Sequence, residues 1–385
     1  MNVLPRVVTH RGGRPDEVGR PRRAWADNLK VVLVAGVIVA HTTMAWTGVG
    51  NWVFRETQVR EPLLTLLTLV AALGALFGMS LFFLIAGYFT PRSLERKGLR
   101  RFILDRVVRL LVPMLAFVVL LSPPIEYVDP DNAGWTHGFW AFVPEILWPP
   151  APGPTWFLGV LFLFSVAYAC LRTCRRRRGS APRPLRLSQL GVLALAIAGT
   201  SFLIRTETPL GEEIWRLALA QAPGWVVGFA LGVLAAERGW LPLEAGLGRC
   251  IRWIAWVGLS ASVAIMGLAG VSGMDLALFL GHGTWQSGLL SVVEGVILVT
   301  VPLWLVDLFW RRFDEQTGQF GQVLGRSAFG AFLVHQGVLV ALVLGVRLLL
   351  WPPEAAYLTV SALGLAISFW LGWLLTKLPG VSRIV

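Results

Sequence analysis

The chain has 385 residues, of which 55% are hydrophobic and 15% are charged, and its mean hydropathy is +0.66. A soluble globular protein carries about 25% charged residues, so this composition excludes a soluble enzyme, a disordered chain and a secreted disulfide scaffold. The formal net charge of +12 lies in short loops between apolar segments, which predicts a membrane protein with no nucleic-acid partner.

Ten apolar segments approach the ~20 residues with which a helix spans a bilayer. The third is short, and the basic stretch 100–109 before it predicts an amphipathic approach. The segments are 29–46, 64–89, 110–123, 156–171, 188–204, 215–236, 253–270, 288–308, 327–350 and 357–376. We therefore expect an all-α polytopic membrane helix bundle of about ten transmembrane helices over residues 27–385, after a basic cytoplasmic tail over residues 1–26.

Positive charge is concentrated on one side of these spans. If the N-terminus is inside, all but five of the 34 lysines and arginines lie in inner segments. This bias is typical of cytoplasmic loops and predicts that both termini are cytoplasmic. The five outer residues are Arg55, Arg60, Arg205, Arg216 and Arg347.

The three cysteines of the chain predict no metal centre. Cys170, Cys174 and Cys250 are odd in number and lack the spacing of metal ligands. We interpret them as inert thiols at the membrane edge.

Two histidines fall inside predicted spans, where ionisable groups are costly and often functional. His41 lies eleven residues beyond Lys30, about 16 Å along a helix, and His335 lies nine residues beyond Arg326, about 14 Å. Both spans are predicted to run outward, so the two histidines reach similar depths. A neutral imidazole there can act as a base; the alternative is a packed histidine that bonds to a neighbouring helix.

A carboxylate is also predicted inside the eighth span. Glu294 lies thirteen residues from Asp307, nearer the outer side, and at that depth it needs a cationic or hydrogen-bonding partner. His41, Glu294 and His335 could line one cavity, although their spacing in sequence leaves this open.

Arginines cluster at the inner approach to the third span. Arg106 and Arg109 are spaced i,i+3 and share a helix face, and two guanidinium groups there suit a phosphate or pyrophosphate. The alternative, which spacing alone favours, is the ordinary positive charge of a cytoplasmic loop.

Five stretches, in order along residues 20–385, resemble the acyltransferase 3 family of integral membrane proteins. Lys30 stands where the family usually has arginine, and Ala86 where it usually has serine. The stretches are Lys30 to His41, Phe82 to Phe89, Arg106 to Pro113, Thr155 to Leu158 and Gly325 to His335. The ending Leu378 to Val381 and the span with Glu294 resemble the branch that includes periplasmic-glucan succinyltransferases.

The resemblance implies an enzyme that moves a small acyl group, acetyl or sometimes succinyl, from cytoplasmic acyl-CoA to a hydroxyl. The usual acceptors are carbohydrates of the cell envelope. It therefore implies a multi-pass protein of the bacterial cytoplasmic (inner) membrane that uses acyl-CoA as a donor substrate and has no bound cofactor.

The resemblance also implies roles for individual residues. His41 is expected to act as general base or as an acyl relay. The predicted site residues are His41, Glu294 and His335 for catalysis, Lys30, Arg106 and Arg109 for acyl-CoA binding, and Trp156 for acceptor binding.

A transporter or flippase for a sugar or lipid is the alternative function, because it would also line a mid-membrane cavity with charged groups. It would show flux without consumption of an acyl donor. A sensor or scaffold would tolerate the loss of His41 and of the arginine pair. The acceptor, the choice of acetyl or succinyl, and direct transfer or relay stay open at the level of sequence.

Overall fold

The computed structural model describes residues 24–50, 52–132, 135–174, 183–315 and 318–381. These residues form helices and connections, with one isolated bridge between Ile214 and Leu217 and no other strand pairing in the described ranges. The predicted tail over residues 1–26 falls almost wholly outside them. The α-helices are α1 Ala24–Thr47, α2 Leu63–Lys97, α3 Leu99–Arg106, α4 Val112–Ala116, α5 Ser122–Tyr127, α6 Phe139–Ile146, α7 Trp156–Cys174, α8 Leu187–Glu207, α9 Ala222–Arg238, α10 Ala245–Ser272, α11 Ala277–Leu280, α12 Trp285–Arg312, α13 Gln319–Arg347 and α14 Pro353–Leu375.

Nine helices in the described part of the chain are long and apolar enough to cross a membrane. They begin at the starts of α1, α2, α8, α10, α12, α13 and α14, and at the short 3₁₀ turns that precede α7 and α9. The prediction of an all-α polytopic bundle is confirmed.

The predicted third span is a longer, interrupted helix. Residues 99–127 run through α3, a π turn Val107–Leu111, α4, a second π turn Phe117–Leu121 and α5. Each π turn precedes a proline, Pro113 or Pro123, whose ring clashes with the carbonyl four residues earlier in a regular α-helix. A wider turn relieves that clash, so the local sequence explains both interruptions.

Contacts between connections define two ends of the bundle, which we call outer and inner after the predicted orientation. At the outer end, Nη2 of Arg347 donates to Glu56 (2.6 Å), and the amide of Arg60 donates to Glu354 (3.0 Å). At the inner end, Asp314 accepts from the amide of Trp25 (3.1 Å).

The interrupted helix runs between these same two ends. Its first part is held at the inner end of α2, where Lys97 pairs with Asp105 at 2.6 Å. Its last part carries Glu126, which lies 3.4 Å from Arg216 in the connection before α9. Together with the nine long helices of the described residues, the interrupted helix makes about ten segments that run from one end of the bundle to the other.

Glycines bring α2 and α9 into backbone contact. A Cβ at Gly232 would lie 2.0 Å from the carbonyl oxygen of Leu84, and one at Gly228 would lie 2.4 Å from that of Ser80. Small residues at helix interfaces allow such close packing in membranes. The contact fixes α2, which carries one of the family-like stretches, against the rest of the core.

Candidate active site

His41 of α1 and His335 of α13 form a hydrogen-bonded pair inside the bundle. Nδ1 of His41 lies 2.8 Å from Nε2 of His335, and the two rings are nearly coplanar, with an interplanar angle of 9°. His335 is fully buried and His41 is partly exposed. The structure thus brings together two of the three predicted catalytic residues.

Hydrogen-bond partners define the tautomers of this pair. Nδ1 of His335 lies 2.6 Å from the carbonyl oxygen of Phe332, which can only accept, so this nitrogen carries the proton. In a neutral ring, Nε2 of His335 must then accept, and Nδ1 of His41 must donate to it. The lone pair of His41 is therefore on Nε2, which has no protein hydrogen-bond partner among the described residues.

One aromatic ring packs against each histidine of the pair. Trp52, from the connection after α1, stacks on His41 with ring centroids 4.6 Å apart. The ring of Phe332 lies 5.7 Å from that of His335. These contacts restrict the orientations that the two imidazoles can adopt.

The family-like stretches meet beside this pair. Phe332 lies 6.5 Å from Phe82 of α2 and 6.3 Å from Phe157 of α7, measured between ring centroids. Phe83 lies 4.8 Å from Phe157. Residues from four of the five stretches therefore line one region, since His41 belongs to the first and His335 to the last.

Trp156, the predicted acceptor-binding residue, begins α7 next to this region. It is partly exposed and lies 4.5 Å from the buried Trp225 of α9. Its neighbour Phe157 lies 6.3 Å from the ring of Phe332, so Trp156 adjoins the aromatic cluster beside the histidines.

Glu294 has a different partner from the histidines. One of its oxygens lies 2.5 Å from Nη2 of Arg205 on α8, and both side chains are almost fully buried. Nη1 of Arg205 also approaches Ser291 at 3.5 Å. Arg205 is therefore the cationic partner that a buried Glu294 requires. It is one of the five arginines predicted to lie on the outer side.

A basic cleft of about 700 Å³ opens at the inner end of the bundle between α2 and α3. Arg106 and Arg109 both line it, as the phosphate-binding hypothesis requires. The other charged residues of its lining are Arg92, Glu95, Arg96, Lys97 and Asp105. We use the term basic cleft for this set.

Charge in the basic cleft is only partly compensated. Asp105 binds Lys97 at 2.6 Å and Arg109 at 3.2 Å, so one carboxylate serves two cations. Arg172 binds Glu95 at 2.8 Å. Arg106 packs over the ring of Phe102 at 4.9 Å, and its Nε is buried without a hydrogen-bond partner.

Lys30 does not line the basic cleft. Its Nζ lies 2.8 Å from Asp27, and its side chain is 42% exposed. The sequence-based interpretation also omitted Arg92, Arg96 and Lys97, which lie at the end of α2. Their position directly after the aromatic stretch 82–89, on the same helix, could have identified them from the sequence.

Comparisons with known proteins identify the family of this chain. Residues 23–377 match the model of a family described as an acyltransferase domain. The chain is 29% identical over 281 residues to glucans biosynthesis protein C of Salmonella heidelberg (strain SL476). The aligned region covers 67% of this chain and 68% of that protein. The protein of the same name from Salmonella schwarzengrund (strain CVM19633) matches to the same extent, and no solved structure matches.

Proposed function

Because the chain belongs to the acyltransferase 3 family and is a multi-pass membrane acyltransferase, we propose that it moves an acetyl or succinyl group from acyl-CoA to a carbohydrate hydroxyl. The observation that carries this proposal is the histidine pair, with the unpaired Nε2 of His41. In the proposed setting, the bacterial inner membrane, acyl-CoA arrives from the cytoplasm and the acceptor lies in the envelope.

His41 acts in this proposal as the general base. Its Nε2 takes the proton of the acceptor hydroxyl while the oxygen attacks the thioester carbonyl. The C–O bond forms, the C–S bond breaks, and the leaving thiolate of coenzyme A takes the proton back from the imidazolium. Nε2 of His335 accepts a hydrogen bond from Nδ1–H of His41 throughout, which orients the base and stabilises its charged form.

The same nitrogen serves the alternative route, in which His41 carries the acyl group as a covalent intermediate. Nε2 would attack the thioester and release coenzyme A before the acceptor hydroxyl attacks the acyl-imidazole. Mass spectrometry of acid-quenched protein distinguishes the two routes, because only the relay adds an acyl group to His41.

The basic cleft is the proposed donor site. Guanidinium groups bind phosphates in bidentate fashion, and Arg106 has a buried Nε without a partner. On α2, Phe82 contacts the ring next to His335, and Phe89 lines the cleft. These residues are seven positions apart, about 10 Å along the helix, a separation that the extended pantetheine arm of coenzyme A can cover.

The acceptor is proposed from the relatives. Proteins named glucans biosynthesis protein C match two thirds of the chain, so a glucan is the first acceptor to test.

Glu294 takes no part in the proposed reaction, because its charge is neutralised by Arg205. We propose that this ion pair joins α8 to α12.

Release of coenzyme A by the purified protein in nanodiscs tests the proposal. Acetyl-CoA or succinyl-CoA should be consumed slowly with water and faster with glucose oligomers. His41→Ala should lower the rate by about 10²–10⁴-fold, the usual contribution of a general base. The matched control is His137→Ala, since His137 is exposed in the connection between α5 and α6.

Equal rates for His41→Ala and the unchanged protein would contradict the assignment of the base. Consumption of neither donor, together with uptake of labelled glucan into proteoliposomes, would favour the transporter.

A further inference from the structure

Gln336 follows His335 on α13 and has a buried amide oxygen with no hydrogen-bond partner. The residue is 6% exposed, and Oε1 lies below the surface without a donor in reach. A buried amide that stays unpaired is unfavourable. Because Gln336 directly follows His335 in the chain, its unpaired oxygen is a candidate contact for a ligand group.

The amide oxygen is directed at a glycine. A Cβ on Gly153 would lie 2.3 Å from Oε1 of Gln336 and 2.9 Å from the ring of Phe117. Gly153 also has a φ of +45°, which L side chains rarely adopt. A side chain at residue 153 would therefore displace the amide of Gln336, whereas glycine leaves it in place.

The amide of Gln336 lies against the connection before α7, at Gly153. Gln336 is one helical turn beyond Phe332, in the direction of the outer end of α13. Gly153 and Trp156 are both partly exposed and belong to the outer connection and the start of α7. An envelope acceptor would approach from this end.

Trp52 lies directly beside His41. It stacks on His41, and the connection that carries it is firmly held. Phe54 is fully buried under the guanidinium of Arg347 at 4.4 Å, and Arg347 also binds Glu56. The indole is thus a fixed, partly exposed platform beside the base.

We propose that Gln336 and Trp52 form a subsite that orients the sugar acceptor. The amide of Gln336 accepts a hydrogen bond from one sugar hydroxyl, and the apolar face of the sugar ring packs against the part of the indole of Trp52 that His41 leaves uncovered. A neighbouring hydroxyl of the same ring then faces Nε2 of His41. The subsite rests on the proposed acyl transfer and specifies its acceptor as a polyhydroxylic ring rather than a simple alcohol.

Partitioning of the acyl group between sugar and water tests the subsite. The protein in nanodiscs is given acetyl-CoA or succinyl-CoA and short glucose oligomers, and acyl-sugar and free acid are measured together. Gln336→Met keeps the length of the side chain but removes its hydrogen bond. We expect it to lower the ratio of acyl-sugar to free acid about tenfold, the effect of one lost hydrogen bond. A defect of folding or of donor binding lowers both products together and leaves the ratio unchanged.

Binding without donor provides the second measurement. Calorimetric titration with the same oligomers should show affinity reduced about tenfold in Gln336→Met and in Trp52→Leu. Trp285→Ala is the control, because Trp285 is 70% exposed at the start of α12. An unchanged product ratio and unchanged sugar affinity in Gln336→Met would overturn the subsite while leaving acyl transfer intact. Failure of the unchanged protein to consume either donor would instead overturn the proposed function on which the subsite rests.

Discussion

At the scale of single residues, the tautomer of His41 depends on one acceptor nitrogen. His335 supplies that acceptor at Nε2 because its own proton is on Nδ1, which donates to the carbonyl oxygen of Phe332. A histidine in the first span therefore becomes a directed base only when α13 packs against α1.

Replacement of His335 tests this dependence. His335→Phe should lower the rate of acyl transfer by about 10²-fold or more, since His41 then loses the partner of Nδ1–H. His335→Gln retains an acceptor oxygen and should recover part of the rate. Steady-state kinetics with saturating donor measure both. Retention of the rate in His335→Phe together with its loss in His335→Gln would show that ring packing, and not the hydrogen bond, is what matters.

Arg106 and Lys30, which the sequence predicted to share the role of binding acyl-CoA, differ in their relation to the basic cleft. Arg106 lines the cleft with a buried, unpaired Nε, whereas Lys30 is bound to Asp27 and half exposed. We expect Arg106→Ala to raise the KM for acyl-CoA about tenfold or more, as for the loss of a charge-assisted hydrogen bond. Lys30→Ala should change it less than twofold, roughly the effect of an exposed ion pair. A larger effect of Lys30→Ala would place the donor on α1 instead.

At the scale of helices, α8 and α12 are joined by charge as well as by packing. Gly295 brings the backbones together, since a Cβ there would lie 2.3 Å from the carbonyl oxygen of Ala194. Next to this contact, Arg205 and Glu294 form their buried ion pair. A charge in this interface is tolerated only while its partner is present.

Single and double replacements of this ion pair test its role. Arg205→Leu should destabilise the protein by about 3–5 kcal/mol, because Glu294 is left buried and unpaired. The double variant Arg205→Leu with Glu294→Leu should regain most of that loss. Thermal unfolding in detergent measures both. If the double variant were as unstable as the single one, the pair would contribute through more than its charge.

At the scale of the whole molecule, the orientation in the membrane is a prediction from the charge bias. The three cysteines lie free and exposed near what we call the inner end, two at the end of α7 and one early in α10. The exposed His137 lies in an outer connection.

Thiol labelling checks that orientation directly. In intact cells, a membrane-impermeant maleimide should leave the native protein unlabelled and should label His137→Cys. After lysis, Cys174 and Cys250 should react. Labelling of the native cysteines from outside would reverse the topology and place the basic cleft in the envelope, away from cytoplasmic acyl-CoA.

Much of the fold was predictable because membrane spans are local properties of the sequence. About ten apolar segments were expected, and nine long helices and one interrupted helix among the described residues account for them. The boundaries differ most at 99–127, where the helix extends beyond its apolar part and is interrupted by two π turns.

The all-α membrane class, the candidate spans and the ionisable residues inside them follow from local sequence. Helix length and hydropathy define these features, and both depend on neighbouring residues. The partners of the buried polar groups depend on helix packing: His41 bonds to His335 across 294 positions, Glu294 pairs with Arg205, and Trp52 stacks on His41. Helix packing depends on contacts between distant segments, through interfaces such as the glycines of α9. The pairing of buried polar groups therefore follows from the assembled bundle.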